Sequence, residues 1–209
     1  MAKNTDMENA VNRLSSEIQN IMMELFGECT DNDGILRAHV EHLGVTDSSA
    51  ITEVLLESGL RDEVPYGILH FHTTLAENIP EESLADLLIS INGLNHVINA
   101  GAFPGFGAFA YYDPLSQVYL SYRMPVNLEN IDTEFDNIRY YMATLYEQID
   151  LFADFIMFAI VNPGGMSISD YMDYLDEVSD LDNIEERISA FEEEFNAAAA
   201  AMGSESDET

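Results

Sequence analysis

Two hydrophobic rhythms alternate along the chain. Val11, Leu14, Ile18, Ile21, Met22 and Leu25 recur at steps of three and four, the spacing that gathers apolar side chains on one face of an α-helix. Thr5-Asp6-Met7-Glu8 ahead of them has the form of a capping box, and Gly27 closes the stretch. The polar cluster Thr30-Asp31-Asn32-Asp33-Gly34 then breaks the pattern. Three strand-like segments follow, at Ile35–Leu43, Ile51–Glu57 and Tyr66–Ala76. In the last, Ile68-Leu69-His70-Phe71-His72-Thr73 mixes β-branched and aromatic residues with partial alternation. Gly44 and Gly59 are the expected turns between them, and helix competes with strand over Ala50–Leu56, which holds no strong breaker.

A helical rhythm returns after Pro80, which presets a first turn with Glu81 and Glu82 beside its positive end. Leu84, Leu87, Leu88, Ile91, Leu94 and Val97 form its broad apolar stripe. Phe109–Tyr112 and Val118–Met124 flank the turn Asp113-Pro114-Leu115-Ser116 and predict a hairpin, with Pro125 expected to halt its second strand. A third helix is predicted from Leu128 or Asp132 to Val161, ended by Asn162-Pro163-Gly164-Gly165. Beyond it, Ile168, Met172, Leu175, Leu181, Ile188 and Phe195 predict one more amphipathic helix with a densely acidic outer face, and Ala197–Ala201 and Gly203–Thr209 read as a frayed tail. The expected organisation is an α+β body over 1–165, with a five-stranded antiparallel sheet, and an acidic helix with its tail over 166–209.

Charge narrows the function classes. The chain has 39 acidic residues against 7 basic ones, a formal net of −32. Such a field repels phosphate backbones and anionic membrane surfaces. It suits a basic protein partner, a salt-rich milieu or plain solubility. Cys29 is the single cysteine, so no intrachain disulfide is possible. The polar start Met1-Ala2-Lys3-Asn4 lacks the apolar core of a signal peptide, and the most apolar run, Leu151–Val161, carries Asp154 and is too short to span a bilayer. These features predict a cytoplasmic protein.

The order of segments, helix, three strands, helix, two strands, helix, resembles that of the type III secretion chaperone (Tir chaperone-like) family. Leu87-Leu88-Ile89-Ser90-Ile91-Asn92 resembles the family's leucine-pair helix, and Gly107-Ala108-Phe109 the start of its fourth strand. Val118-Tyr119-Leu120-Ser121-Tyr122-Arg123-Met124-Pro125 resembles the strand before its last helix. Members usually stop near the third helix, so the segment from Ser167 departs from the pattern. The resemblance implies a small acidic homodimer that binds an extended client segment through apolar grooves and exposed strand edges. It implies no cofactor. The second helix often contributes to the family's dimer interface, which makes Leu84, Leu87, Leu88, Ile91, Leu94 and Val97 candidates for a dimer or partner surface. Each also reads as plain core.

Two alternatives come from other classes: a regulatory scaffold of the same fold binding a folded partner, and a metal-dependent enzyme. For the latter, His70 and His72 share one strand face and His39, with His42 nearby, lies on a neighbouring strand. Three imidazoles on one sheet face could hold zinc. A calcium loop fails in detail: with Gly34 at the sixth position, Cys29 would be the first ligand and Val40 the twelfth. No Gly-x-Ser-x-Gly elbow or phosphate-binding glycine loop occurs. The sequence therefore predicts a non-catalytic protein with no metal site.

Overall fold

The helical rhythm of the first segment runs further upstream than the capping pattern suggests. In the computed structural model, which describes residues 2–61, 64–101, 105–178 and 184–205, helix α1 spans Ala2–Phe26. Nothing in Ala2-Lys3-Asn4 breaks a helix, so Thr5 lies inside it rather than at its start. Its apolar stripe becomes core: Leu14, Ile18, Ile21 and Met22 are buried.

Asp33 and Gly34 both take positive φ, 54° and 86°. That is the pair of conformations a two-residue hairpin turn demands. The polar cluster is therefore a hairpin: β1 (Thr30–Asn32) pairs antiparallel with β2 (Ile35–Leu43), and the Gly34 N–H donates to Asp31 Oδ1 at 2.8 Å. This short strand raises the sheet from the expected five strands to six.

β3 (Ser48–Arg61) and β4 (Val64–Glu77) are longer than predicted. Ala50–Leu56 is strand because β2 and β4 pair with it on both sides. Gly59 is not a turn. It sits within β3 opposite Tyr66, whose ring lies over the vacant side-chain position; a Cβ there would be 3.1 Å from the phenol oxygen. The β3–β4 connection, 62–63, lies outside the described residues.

After α2 (Leu84–Asn99) come β5 (Ala108–Tyr112) and β6 (Gln117–Asn127). β6 runs straight through Pro125, which pairs with Ile68. Proline is tolerated because β5 reaches only as far as Ser121, so β6 is an edge at that level. The sheet order is β1-β2-β3-β4-β6-β5, antiparallel throughout. The fold is α+β.

α3 (Phe135–Val161) begins later than predicted, after a short 3-10 turn at Ile131–Thr133, and ends at Val161 as expected. Its second half is buried on all sides, from Phe152 to Ile156 and again from Phe158 to Ile160. One side meets the sheet, where Phe109 and Phe152 pack edge to face. The opposite side meets the C-terminal segment, which is two helices rather than one: α4 (Ile168–Val178) and α5 (Ile184–Glu205). Asp180, Leu181, Asp182 and the tail 206–209 lie outside the described residues, and Ala197–Ala201 is helical rather than frayed. Tyr171 and Phe191 are buried against Phe155 and Phe158, and the Tyr171 hydroxyl donates to the Leu151 carbonyl at 2.6 Å. The C-terminal helices thus complete the core around α3.

The same helix grips the sheet by two carboxylates one turn apart. Asp154, 4% exposed, accepts from the Val45 and Thr46 N–H groups at 2.8 and 3.0 Å and from the Thr46 hydroxyl at 2.6 Å. Asp150 accepts from the Gly44 N–H at 2.9 Å. The β2–β3 turn comes close because Gly44 has φ 62° and no side chain; a Cβ would lie 2.3 Å from Asp154 Oδ1.

Asp154→Ala leaves the half-buried Val45 and Thr46 N–H groups without their acceptor and takes one of two partners from the Thr46 hydroxyl, a loss of about 3 kcal/mol, which calorimetry should record as a fall in Tm of roughly 6–12 °C for a chain of this size. Ending the chain after Gly165 uncovers Phe155 and Phe158, so the truncated protein should bind a hydrophobic dye and melt at lower temperature. An unchanged Tm in either variant contradicts this account of the core.

Candidate functional site

Burial alternates along β4 and along β2 as far as Val40, where a register shift interrupts it. One face of the sheet, carrying Leu36, Val40, Val54, Leu69, Phe71 and Leu120, lies under the helices. The opposite face is covered by no described helix. Register orders its side chains into rows. Ile35, Leu55, His70 and Arg123 stand opposite one another across four strands. Arg37, Glu53, His72 and Ser121 form the next row, and His39, Ile51, Thr74 and Tyr119 the one after.

Charges on this face are paired within it. Arg37 Nε donates to Glu53 Oε1 at 2.9 Å. Glu57 lies 2.9 Å from His70 Nε2 and 3.5 Å from Arg123, which itself approaches His70 at 3.3 Å. The His72 ring stacks on Tyr119 with centroids 4.6 Å apart. Burial there pushes its pKa below the ordinary histidine value, opposed by the nearby Glu53 carboxylate.

The structure spreads the histidines of the zinc alternative. His39 is opposite Ile51, two strands from the row of His72, a lateral gap of about 10 Å. His42 lies past a register shift with φ 60° and bonds Asp47 at 2.6 Å, which raises its pKa. Among the described residues, no group of three histidine, cysteine or carboxylate side chains is placed to hold a metal ion.

Both sheet edges carry side-chain plugs. Beyond Arg37, β2 has no strand beside it, and the His39 N–H is taken by Glu28 Oε1 at 2.9 Å. On the far edge, Asn95 of α2 bonds both backbone groups of Phe109, its amide donating to the carbonyl at 2.8 Å and its oxygen accepting from the N–H at 2.9 Å. Such plugs blunt an edge against strand addition. Asn95 had no signal in sequence beyond being polar on an apolar helix.

The α2 candidates divide. Leu87, Ile91 and Leu94 point into the core, Leu84 and Val97 are half-buried, and Leu88 faces out at 44% exposure. Ile89, which the apolar stripe omitted, is 70% exposed. Asn95 sits at Phe109, and Ile79, just before α2, exchanges backbone and hydroxyl bonds with Ser116. α2 therefore runs along β5, with Leu88 on the face that Asn95 turns to β5, Ile89 beside it on the solvent face, and the turn that carries Tyr112 and Leu115, 46% and 61% exposed, at the same level. The result is an apolar rim.

A cleft of about 660 Å³ lies elsewhere, between the start of α1, Pro65 and the 128–133 connection. Its Arg13 is ion-paired with Asp132 and lies over the Phe135 ring. No histidine or cysteine lines it. No helix among the described residues is long and apolar enough to cross a membrane. Compared with known proteins, the chain matches no family model, no curated relative and no solved structure.

The depressed pKa of His72 fixes a pH dependence. The unfolded chain binds a proton at this residue near pH 6.5, while the folded chain resists it. Stability is thus fully present above that pH and is lost as pH falls toward and through the folded value. Tm of the native protein should drop more between pH 7.5 and 5.5 than that of His72→Phe, which keeps the stack on Tyr119 but cannot titrate. Parallel pH profiles refute the assignment.

Proposed function

We propose that this protein is a non-catalytic chaperone or adaptor that holds an extended segment of a client protein, in the manner of the type III secretion chaperones it resembles, and that it acts in the cytoplasm as a homodimer without a cofactor. The observation that carries this reading is the α2–β5 rim, where Leu88, Ile89, Tyr112 and Leu115 stand in solvent. Exposed apolar side chains grouped at one end of a domain mark a binding surface.

Two further observations support it and one reshapes it. The elements run in the order helix, strands, helix, two strands, helix, with β1 and the two C-terminal helices as additions. The sheet edges are plugged by Glu28 and Asn95, so the grip rests on apolar side-chain contacts and departs from the strand-edge binding that the resemblance implies. The net charge of −32 draws basic polypeptide and repels nucleic acid.

Fluorescence anisotropy with two labelled, unstructured peptides tests the proposal, one alternating basic with apolar residues and the other acidic with apolar. The basic peptide should bind and the acidic one should not. Each buried apolar side chain is worth about 1.5–3 kcal/mol, so Leu88→Glu with Ile89→Glu should weaken binding at least tenfold. Binding that ignores these substitutions, or capture of folded partners only, overturns the reading.

A further inference from the structure

We infer that the bare face of the sheet is where two copies of this chain meet. The inference stands apart from client binding, because the client rim lies on α2 and β5.

Charge is the first argument. A chain with 39 acidic and 7 basic residues repels its own kind over most approaches. The bare face is the exception. Arg37 and Arg123 there answer Glu41, Glu53, Glu57 and Glu77, which leaves two net negative charges with the histidines neutral. The ion pairs Arg37–Glu53 and Arg123–Glu57 are already formed within one copy. A second copy therefore meets neutral pairs instead of isolated charges, and like-charge contact is avoided where it would cost most.

Apolar content is the second. Ile35 and Leu55 are cross-strand partners and both are exposed at 37%. Tyr66, 40% exposed, lies over Gly59 on the same face, and the His72–Tyr119 stack adds a flat surface.

Size is the third. Five strands side by side span about 19 Å, and the eleven paired positions of β3 with β4 span about 36 Å. The projected face is roughly 700 Å², close to the ~800 Å² per partner of a standard specific interface. A two-fold axis makes such a contact self-complementary and closes it at two copies. Two twisted sheets meeting this way pack with their strands about 30° apart.

Sedimentation of the full chain over a range of concentrations and salt should show a dimer that tightens as salt rises, because screening removes the repulsion between two acidic bodies. Leu55→Glu should weaken it at least tenfold, and Ile89→Glu on α2 should leave it unchanged. Carbodiimide labelling of the unaltered protein decides the matter even where Leu55→Glu fails to fold: Glu53 and Glu57 should become protected as the protein is concentrated, while Glu81 and Glu82 should not. A monomer under every condition overturns the inference. So does a dimer that leaves Glu57 labelling unchanged, or one broken by Ile89→Glu instead of Leu55→Glu.

Discussion

The fold depends on a buried carboxylate that no cation among the described residues pairs. Asp154 sits in the most apolar stretch of the chain and has its charge held by two backbone N–H groups and one hydroxyl of the β2–β3 turn. Hydrogen bonds to an ionised acceptor are roughly twice as strong as neutral ones, and a carboxylate stripped of them in this setting would cost several kcal/mol. The contact therefore specifies as much as it stabilises. It fixes α3 along its axis and in rotation, since Asp150 one turn earlier must reach Gly44 at the same time. With α3 so held, its opposite side presents Phe155 and Phe158 to Tyr171 and Phe191. The position of the C-terminal helices follows from the grip on the turn.

Layering has a consequence for function. The buried stripes of the helices all lie on one side of the sheet, and the C-terminal helices meet the far side of α3 rather than the far side of the sheet. The second sheet face is left bare while the sheet's edges are not. Glu28 and Asn95 place side-chain groups where an added strand would put its backbone. Edges are the usual route to uncontrolled association, so plugging them while a face stays open directs association to side chains, where shape and charge can discriminate.

Much of this was legible in the sequence where the signal is local. The 3.6-residue period of α1, the alternation of β2 and the stop after Val161 need only neighbours to be read. What failed depends on partners far along the chain. Gly59 reads as a turn until Tyr66 is seen lying over it, and Pro125 reads as a strand end until β5 is seen to stop short of it. The three-residue β1 is too short and polar to carry a pattern; only the Asp33-Gly34 pair announced it. Ser167 and Asp170 form reciprocal capping bonds at the start of α4, a signal present in the sequence as Ser-x-x-Asp before an apolar run. At the site, the α2 stripe located the core face correctly through Leu87, Ile91 and Leu94 but left out Ile89, whose outward position is what a stripe argument discards. In the apolar run Leu151–Val161, Asp154 reads as an obstacle to membrane insertion, although a lone carboxylate in an apolar helix is also a sign of a buried polar contact.

The distribution of charge joins these points. A protein can carry −32 only if few of those charges are forced together, and helices with one buried stripe offer wide solvated faces on which carboxylates spread. A strand in an antiparallel sheet offers half as much: its outward residues stand about 5 Å from cross-strand neighbours, close enough for like charges to destabilise the pairing itself. The outward side chains of this sheet accordingly match arginine with glutamate, within one row at 37 and 53 and between neighbouring rows at 123 and 57. Sheet physics alone thus imposes near-neutrality on the bare face, and the acidity of the helices makes that neutrality consequential. Where every other approach between two copies is repulsive, the face balanced for its own strands is also the face balanced for a second molecule.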